Sequence, residues 1–164
     1  MSRAGPTDQR GPDRTAGPEV VVLAPEETHD LRRRVLRQHL TGPEADVEYP
    51  ADRLPGTLHL GVRDGGEVVA IATLSREPAP GRPEVPAARL RGMAVDPARQ
   101  GEGLGAAVVK EALRRLAAAG VELCWANARL RALGFYERLG FTPEGEVFES
   151  IGLPHRLVVR RVAA

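Results

Sequence analysis

Arg99-Gln100-Gly101-Glu102-Gly103-Leu104-Gly105 decides how this chain is read. The stretch follows a strand-like Leu90–Val95. It precedes a helix with Leu104, Val108, Ala112 and Leu116 at steps of four. Glycine adopts positive φ and lets backbone approach a ligand closely. A helix N-terminus adds free N–H groups and the positive end of a dipole. Together they make an anion site, most naturally for a phosphate or pyrophosphate.

The bulk composition narrows what surrounds this loop. At 164 residues the chain is sized for one domain with a sizeable core. The 23 basic and 22 acidic residues leave a net charge of +1, which argues against an electrostatic nucleic-acid binder. Cys124 is the sole cysteine, so there is no intrachain disulfide and a reducing compartment fits. No run approaches the roughly 18 apolar residues of a membrane span. The N-terminal MSRAGPTDQRGPDR has no apolar segment of the signal-peptide kind, so the cytoplasm is the expected location.

Residues 1–18 are rich in Gly, Pro and charge and read as a flexible tail, leaving 19–164 as the domain. Val20–Leu23 is a short strand. Thr28 is placed to cap a helix to about Leu40, with Leu31, Val35 and Leu36 inward and Arg32, Arg33, Arg34 and Arg37 on a solvated face. Residues 41–56 have no period and read as a loop bordering a substrate site. Thr57–Val62 and Glu67–Ser75 flank Arg63-Asp64-Gly65-Gly66, a hairpin signal. Ala88–Val95 is the next strand. Gly103–Ala119 is a helix ended by Gly120, and Val121–Ala126 a strand. A helix from about Arg129 to Leu139 and strands over Phe141–Phe148 and His155–Val162 complete a mixed α/β pattern with one sheet.

Three ligands compete for the glycine loop. A nucleoside triphosphate needs Gly-x-x-x-x-Gly-Lys-Ser/Thr, and the chain has no Gly-Lys-Ser/Thr. A dinucleotide is formally served by Gly101, Gly103 and Ala106. Its context fails, because the acidic residue expected to end the next strand is missing: Glu122 begins that strand instead. The third reading rests on a resemblance. Gln100-Gly101-Glu102-Gly103-Leu104-Gly105 is similar to the Gln/Arg-x-x-Gly-x-Gly/Ala signature of the GNAT superfamily of acyl-coenzyme A-dependent N-acyltransferases. Met93-Ala94-Val95-Asp96-Pro97 resembles the strand and turn before that loop. Asn127, Ala132 and Phe135-Tyr136-Glu137-Arg138-Leu139-Gly140-Phe141 resemble the family's second motif. Gly152-Leu153-Pro154-His155 resembles the tail of a set of small bacterial members.

The resemblance implies a GNAT fold: a central, mostly antiparallel mixed sheet flanked by helices, with a splayed parallel strand pair at the cofactor. It implies acetyl-coenzyme A as donor and a small-molecule or peptide amine as acceptor. Nucleic acid and membrane are not expected partners, and a homodimer stays open. Backbone N–H groups of Gln100, Gly101, Glu102, Gly103, Leu104, Gly105 and Ala106 would bind the pyrophosphate, with side chains at Gly101, Gly103 and Gly105 excluded by crowding. Arg99 is a further phosphate candidate. Met93, Ala94 and Val95 would hold the pantetheine arm like an added strand, with Gly92 easing a bulge and a backbone N–H near Val95 polarising the thioester. Asn127 serves either that arm or a helix N-cap. Tyr136 matches the family's general acid. Glu149 and His155 are candidate bases, with His59 and Glu77 behind them. Arg91 is the candidate for holding an acceptor carboxylate. The alternative function is an acyl-coenzyme A-binding domain without turnover.

Overall fold

Two adjacent glycines make a tight turn. Gly65 and Gly66 take φ of +58° and +87°, the pattern of a two-residue hairpin. They join β2 (Leu58–Asp64) to β3 (Glu67–Arg76), as the Asp-Gly-Gly signal predicts. The computed structural model describes residues 17–163, so most of the predicted tail lies outside the described residues. The remaining strands are β1 (Val21–Leu23), β4 (Ala87–Val95), β5 (Leu123–Arg129), β6 (Thr142–Ser150) and β7 (Leu153–Arg161). All seven form one sheet in the order β1-β2-β3-β4-β5-β7-β6. Only β4 and β5 run parallel.

Helices cover both faces. α2 (Leu104–Ala118) and α3 (Leu133–Arg138) pack on one side, where Val108, Val109, Ala112 and Leu116 meet Leu60, Ala72, Leu90, Cys124 and Val158. α2 ends as its sequence predicts. Gly120 takes φ +75°, its N–H donates to Ala117 O, and the Val121 N–H donates to Leu116 O. These two bonds are the Schellman pattern, which satisfies carbonyls that a helix end leaves open. The opposite face carries a shorter helical stretch whose Leu31, Val35 and Leu36 pack with Leu23, Ile71 and Ala94.

That stretch departs from the predicted helix of Thr28–Leu40. It consists of a 3-10 turn (Pro25–Thr28), one turn of α1 (His29–Leu31) and a π turn (Arg32–Leu36). Thr28 caps nothing; its hydroxyl donates to Pro25 O at 2.7 Å. The π turn closes through Arg37 N–H to Arg32 O at 2.9 Å, and the widened loop of backbone breaks the 3.6-residue period. Arg33 and Arg34 face solvent as expected, but Arg32 is fully buried.

Arg32 is neutralised where it lies. Its Nη1 donates to Asp52 Oδ2 (2.6 Å) and Val47 O (2.8 Å); its Nη2 donates to Asp52 Oδ1 (3.0 Å) and Thr73 Oγ1 (2.8 Å). Asp52 Oδ2 also accepts the Tyr49 N–H at 2.8 Å. His59 closes the network. Its Nε2 lies 3.1 Å from Asp52 O, an acceptor, so that nitrogen carries the proton. In the neutral ring Nδ1 then accepts from the Thr73 hydroxyl at 2.8 Å. The guanidinium also lies over the Tyr49 ring, 3.8 Å from its centroid. One buried ion pair therefore ties the predicted loop 41–56 to β3 and to the π turn.

Burial alone would raise the Asp52 pKa, but hydrogen bonds from Arg32 and the Tyr49 N–H outweigh it and hold the carboxyl below its ordinary value. A carboxyl so lowered contributes stability above its unfolded pKa, and that contribution is lost as pH falls through the lower folded value. Asp52→Asn should therefore flatten the acid limb of a plot of melting temperature against pH. It should also cost about 3–5 kcal/mol in urea unfolding at pH 7, because Arg32 is left buried and unpaired. The double variant Arg32→Met/Asp52→Leu should recover most of that loss.

Candidate active site

β4 and β5 begin as neighbours and then part. Their pairing covers only Ala87–Arg89 against Leu123–Trp125. Beyond it, β5 keeps its ladder with β7 as far as Arg129, while β4 keeps its ladder with β3. The cause of the parting is local. Ile71 opposes Ala94 and Thr73 opposes Arg91, so Gly92 and Met93 together face Ala72 alone. This is a β-bulge, and Gly92 supports it with φ +62°. A Cβ there would come within 3.2 Å of Arg32 Nε and Tyr49 Cε2. The facing edges of Leu90–Val95 and Ala126–Arg129 are left without a strand partner between them, as expected of a splayed parallel pair.

The glycine loop lies just past the end of β4. Asp96 caps a 3-10 turn (Pro97–Arg99) by accepting the Ala98 N–H. Gly101 and Gly103 take φ of +84° and +79°. The first backbone bond of α2 runs from Ala107 N–H to Gly103 O. Among the described residues, the backbone N–H groups from Gln100 to Ala106 meet no protein acceptor. Gly105 differs from its neighbours. A Cβ there would reach within 3.0 Å of Met93 and 3.3 Å of Phe135 and Val95. This glycine sits at a close helix-to-strand contact, so packing constrains it in addition to the expected closeness to phosphate. Leu104 likewise points into the core.

A cavity of about 250 Å³ occupies the gap between the strands. Met93, Asn127 and Tyr136 line it, and so do Arg91 and His155. Tyr136 is buried against Phe135 and Phe141 in edge-to-face contacts of 5.1 and 5.4 Å, and its hydroxyl makes no hydrogen bond among the described residues. Burial, with a smaller push from Cys124, raises its pKa far above the ordinary phenol value, so the group stays protonated. Burial likewise pushes the Cys124 thiol up to about 12, leaving it a small inert hydrophobe. Asn127 sits within β5 opposite Leu157, so it is not a helix N-cap; β5 continues to Arg129 because β7 pairs it throughout. His155 places Nδ1 2.8 Å from Leu153 O, which requires the proton on Nδ1 and leaves Nε2 of the neutral ring with a free lone pair. Its ring stacks on Phe148 at 5.9 Å.

Other predicted residues lie elsewhere. Glu149 is exposed on β6 and does not line the cavity. Glu77 pairs with Arg89 at 3.3 Å outside the cavity, and His59 is committed to the Asp52 and Thr73 network. Arg99 is held by Glu102 at 2.8 Å and by Asp64, which keeps its guanidinium along the outside of the loop. The structure adds wall residues that no sequence pattern marks. Tyr49 comes from the aperiodic loop, Arg37 from the end of the π turn, and Arg129 from the end of β5. Ile151 takes φ +49° in the β6–β7 turn, a strained conformation for a β-branched residue. Its carbonyl lies 3.1 Å from His39 Nε2, a bond that links the turn to the segment after the π turn.

The described residues hold no helix long and apolar enough to cross a membrane and no cluster of side chains suited to a metal. Residues 25–141 match the family model of the Acetyltransferase (GNAT) family. The chain is 35% identical over 141 residues to the uncharacterized N-acetyltransferase YitI of Bacillus subtilis (strain 168), covering 86% of this chain and 93% of that one. Among solved structures, an acyl-CoA N-acyltransferase from Pseudomonas aeruginosa superposes with a TM-score of 0.70 at 21% identity, over 88% of this chain and 99% of that one. An aminoglycoside 6'-N-acetyltransferase complexed with coenzyme A gives 0.69 at 15% identity, over 88% and 97%. The parted strands, the open N–H groups at the head of α2 and these relationships agree: this chain belongs to the GNAT acetyltransferase family and is an acyl-coenzyme A-dependent N-acyltransferase.

Proposed function

We propose that the protein transfers an acetyl group from acetyl-coenzyme A to a primary amine by direct attack on the thioester. The observation that carries this is the cavity between β4 and β5, where a protonated phenol and a free imidazole nitrogen share one space. The N–H groups of Gln100–Ala106 would receive the donor's pyrophosphate, aided by the α2 dipole. The unpaired edge of Met93, Ala94 and Val95 would take the pantetheine arm as an extra strand, with the Asn127 amide opposite. Arg99, already paired, steadies the loop and leaves phosphate binding to the backbone.

The chemistry needs a neutral amine and a proton for the departing thiolate. His155 Nε2 is available to receive the amine's proton, directly or through water. Tyr136 has a hydroxyl that is protonated and uncommitted, so it can donate to the thiolate as the C–S bond breaks. A backbone N–H of the bulged strand can polarise the carbonyl without any side chain. Phe135 and Met93 supply an apolar wall beside the Tyr136 hydroxyl. The aminoglycoside enzyme shares only the fold, and its acceptor is not carried over: a polycation does not suit walls bearing arginine.

Tyr136→Phe should lower kcat by about 10²–10⁴-fold while the KM for acetyl-coenzyme A moves less than about twofold. A thiol-release assay against a panel of primary amines reads both constants, and an unchanged kcat removes Tyr136 from the proton transfer. His155→Gln should lower kcat by about 10²–10⁴-fold, whereas Glu149→Gln should leave kcat as it is. Binding of coenzyme A with no thiol release on any amine would favour the alternative of a binding domain without turnover.

A further inference from the structure

The cavity walls hold four arginines and no carboxylate. Arg37, Arg89, Arg91 and Arg129 all line the space, and no Asp or Glu does. Each is positioned, yet only one is neutralised. Arg89 reaches Glu77 at 3.3 Å. Arg37 donates to Glu44 O at 3.0 Å and Arg129 to Leu36 O at 2.6 Å, both neutral carbonyls that fix a guanidinium without cancelling its charge. Arg91 makes no hydrogen bond or ion pair among the described residues and lies over the Tyr49 ring at 4.4 Å. Arg37 approaches the same ring at 5.1 Å. The Nε atoms of Arg37 and Arg89 are buried and have no acceptor among the described residues.

Such a cluster costs free energy unless something negative joins it. Burial and neighbouring guanidinium groups, Arg89 and Arg32 for Arg91 and Arg131 and Arg37 for Arg129, lower the pKa of each. Arg32 does not share the problem, because Asp52 neutralises it. The donor's phosphates do not answer the need. They belong beyond Val95, four strand residues or roughly 13 Å from Arg91, and no residue of the Gln100–Ala106 loop lines the cavity.

We infer that the acceptor is an amine carrying two negatively charged groups, held by Arg37, Arg91 and Arg129, with its amino group delivered to Tyr136 and His155. This rests on the N-acyltransferase reading of the same cavity. Three uncompensated guanidinium groups match two anions with bidentate geometry better than one. The same positive field lowers the pKa of the acceptor's ammonium group, which favours the neutral nucleophile. The anions can be carboxylates, or one carboxylate and a phosphate monoester, since both suit a guanidinium fork.

Two measurements test this separately. In the first, the complex with coenzyme A is melted with glutarate or with its uncharged counterpart glutaramide. Glutarate should raise Tm and glutaramide should not, and the shift should vanish in Arg91→Gln and in Arg129→Gln. Unequal starting stabilities do not matter, because each variant is compared with itself. In the second, thiol release is followed with glutamate, O-phosphoserine and isoglutamine amide. Either dianion should exceed the amide in kcat/KM by about 10- to 100-fold, the worth of one charged hydrogen bond, and Arg91→Gln should erase the difference by raising KM. Glutamate ahead of O-phosphoserine assigns two carboxylates; the reverse order assigns the phosphate. Equal shifts from glutarate and glutaramide, or equal turnover of charged and neutral amines, overturn the inference. A glutarate shift with no thiol release from any amine leaves the dianion site standing and defeats the acyltransfer reading instead.

Discussion

The buried Arg32–Asp52 pair holds together one wall of the cavity between β4 and β5. It fastens an aperiodic loop to the sheet through Val47 O, Asp52 and Thr73. It brings Tyr49 over the β4 bulge, where that ring becomes the surface on which Arg91 and Arg37 rest. A buried ion pair is seldom worth more than the apolar residues that could replace it, because desolvation offsets the attraction. Its use here is positional. An apolar substitute would fill the volume, but it would not dictate which loop residue meets which strand.

The two faces of the sheet have separate duties. On one side, α2 and α3 present backbone N–H groups and an apolar wall containing Tyr136. On the other, Arg37 after the π turn, Arg91 of β4, Arg129 of β5 and His155 of β7 gather near Tyr49 of the loop. The bulge at Gly92 parts β4 from β5 so that the two sides meet. No separate domain is needed to enclose the cavity. A local irregularity in one strand supplies the opening.

Much of the fold was legible because its signals are local. The Asp-Gly-Gly turn, the steps of four in α2 and the glycine after it each act within a few residues, and each matches the structure. The glycine loop was legible from its own residues and the helix after it, and Tyr136 stood out only through the family resemblance of Phe135–Phe141. The arginines were not legible. Arg32 sits in a run of three, and the helical period assigned it to solvent; its partner stands 20 positions later in a stretch with no period. Arg129 looked like the start of a helix, because nothing in 121–129 announces that β7 will extend that strand. Glu149 and His155 are close in sequence, yet an exposed edge strand carries one and a paired inner strand the other. Contacts between distant segments decide such cases, and a single sequence does not encode them as a pattern.

Gly105 has a consequence for anyone who would redesign this enzyme. The space its missing side chain leaves is already filled by Met93, Val95 and Phe135. The approach of α2 to β4 is thus close at this point, and even a methyl group there would require Met93, Val95 or Phe135 to give by a few tenths of an ångström. Gly101 and Gly103 of the same loop are constrained differently, by positive φ rather than by packing. Two of the Gly105 neighbours, Met93 and Phe135, also line the cavity, so the helix contact and the cavity wall share the same side chains and a change to either side chain acts on both.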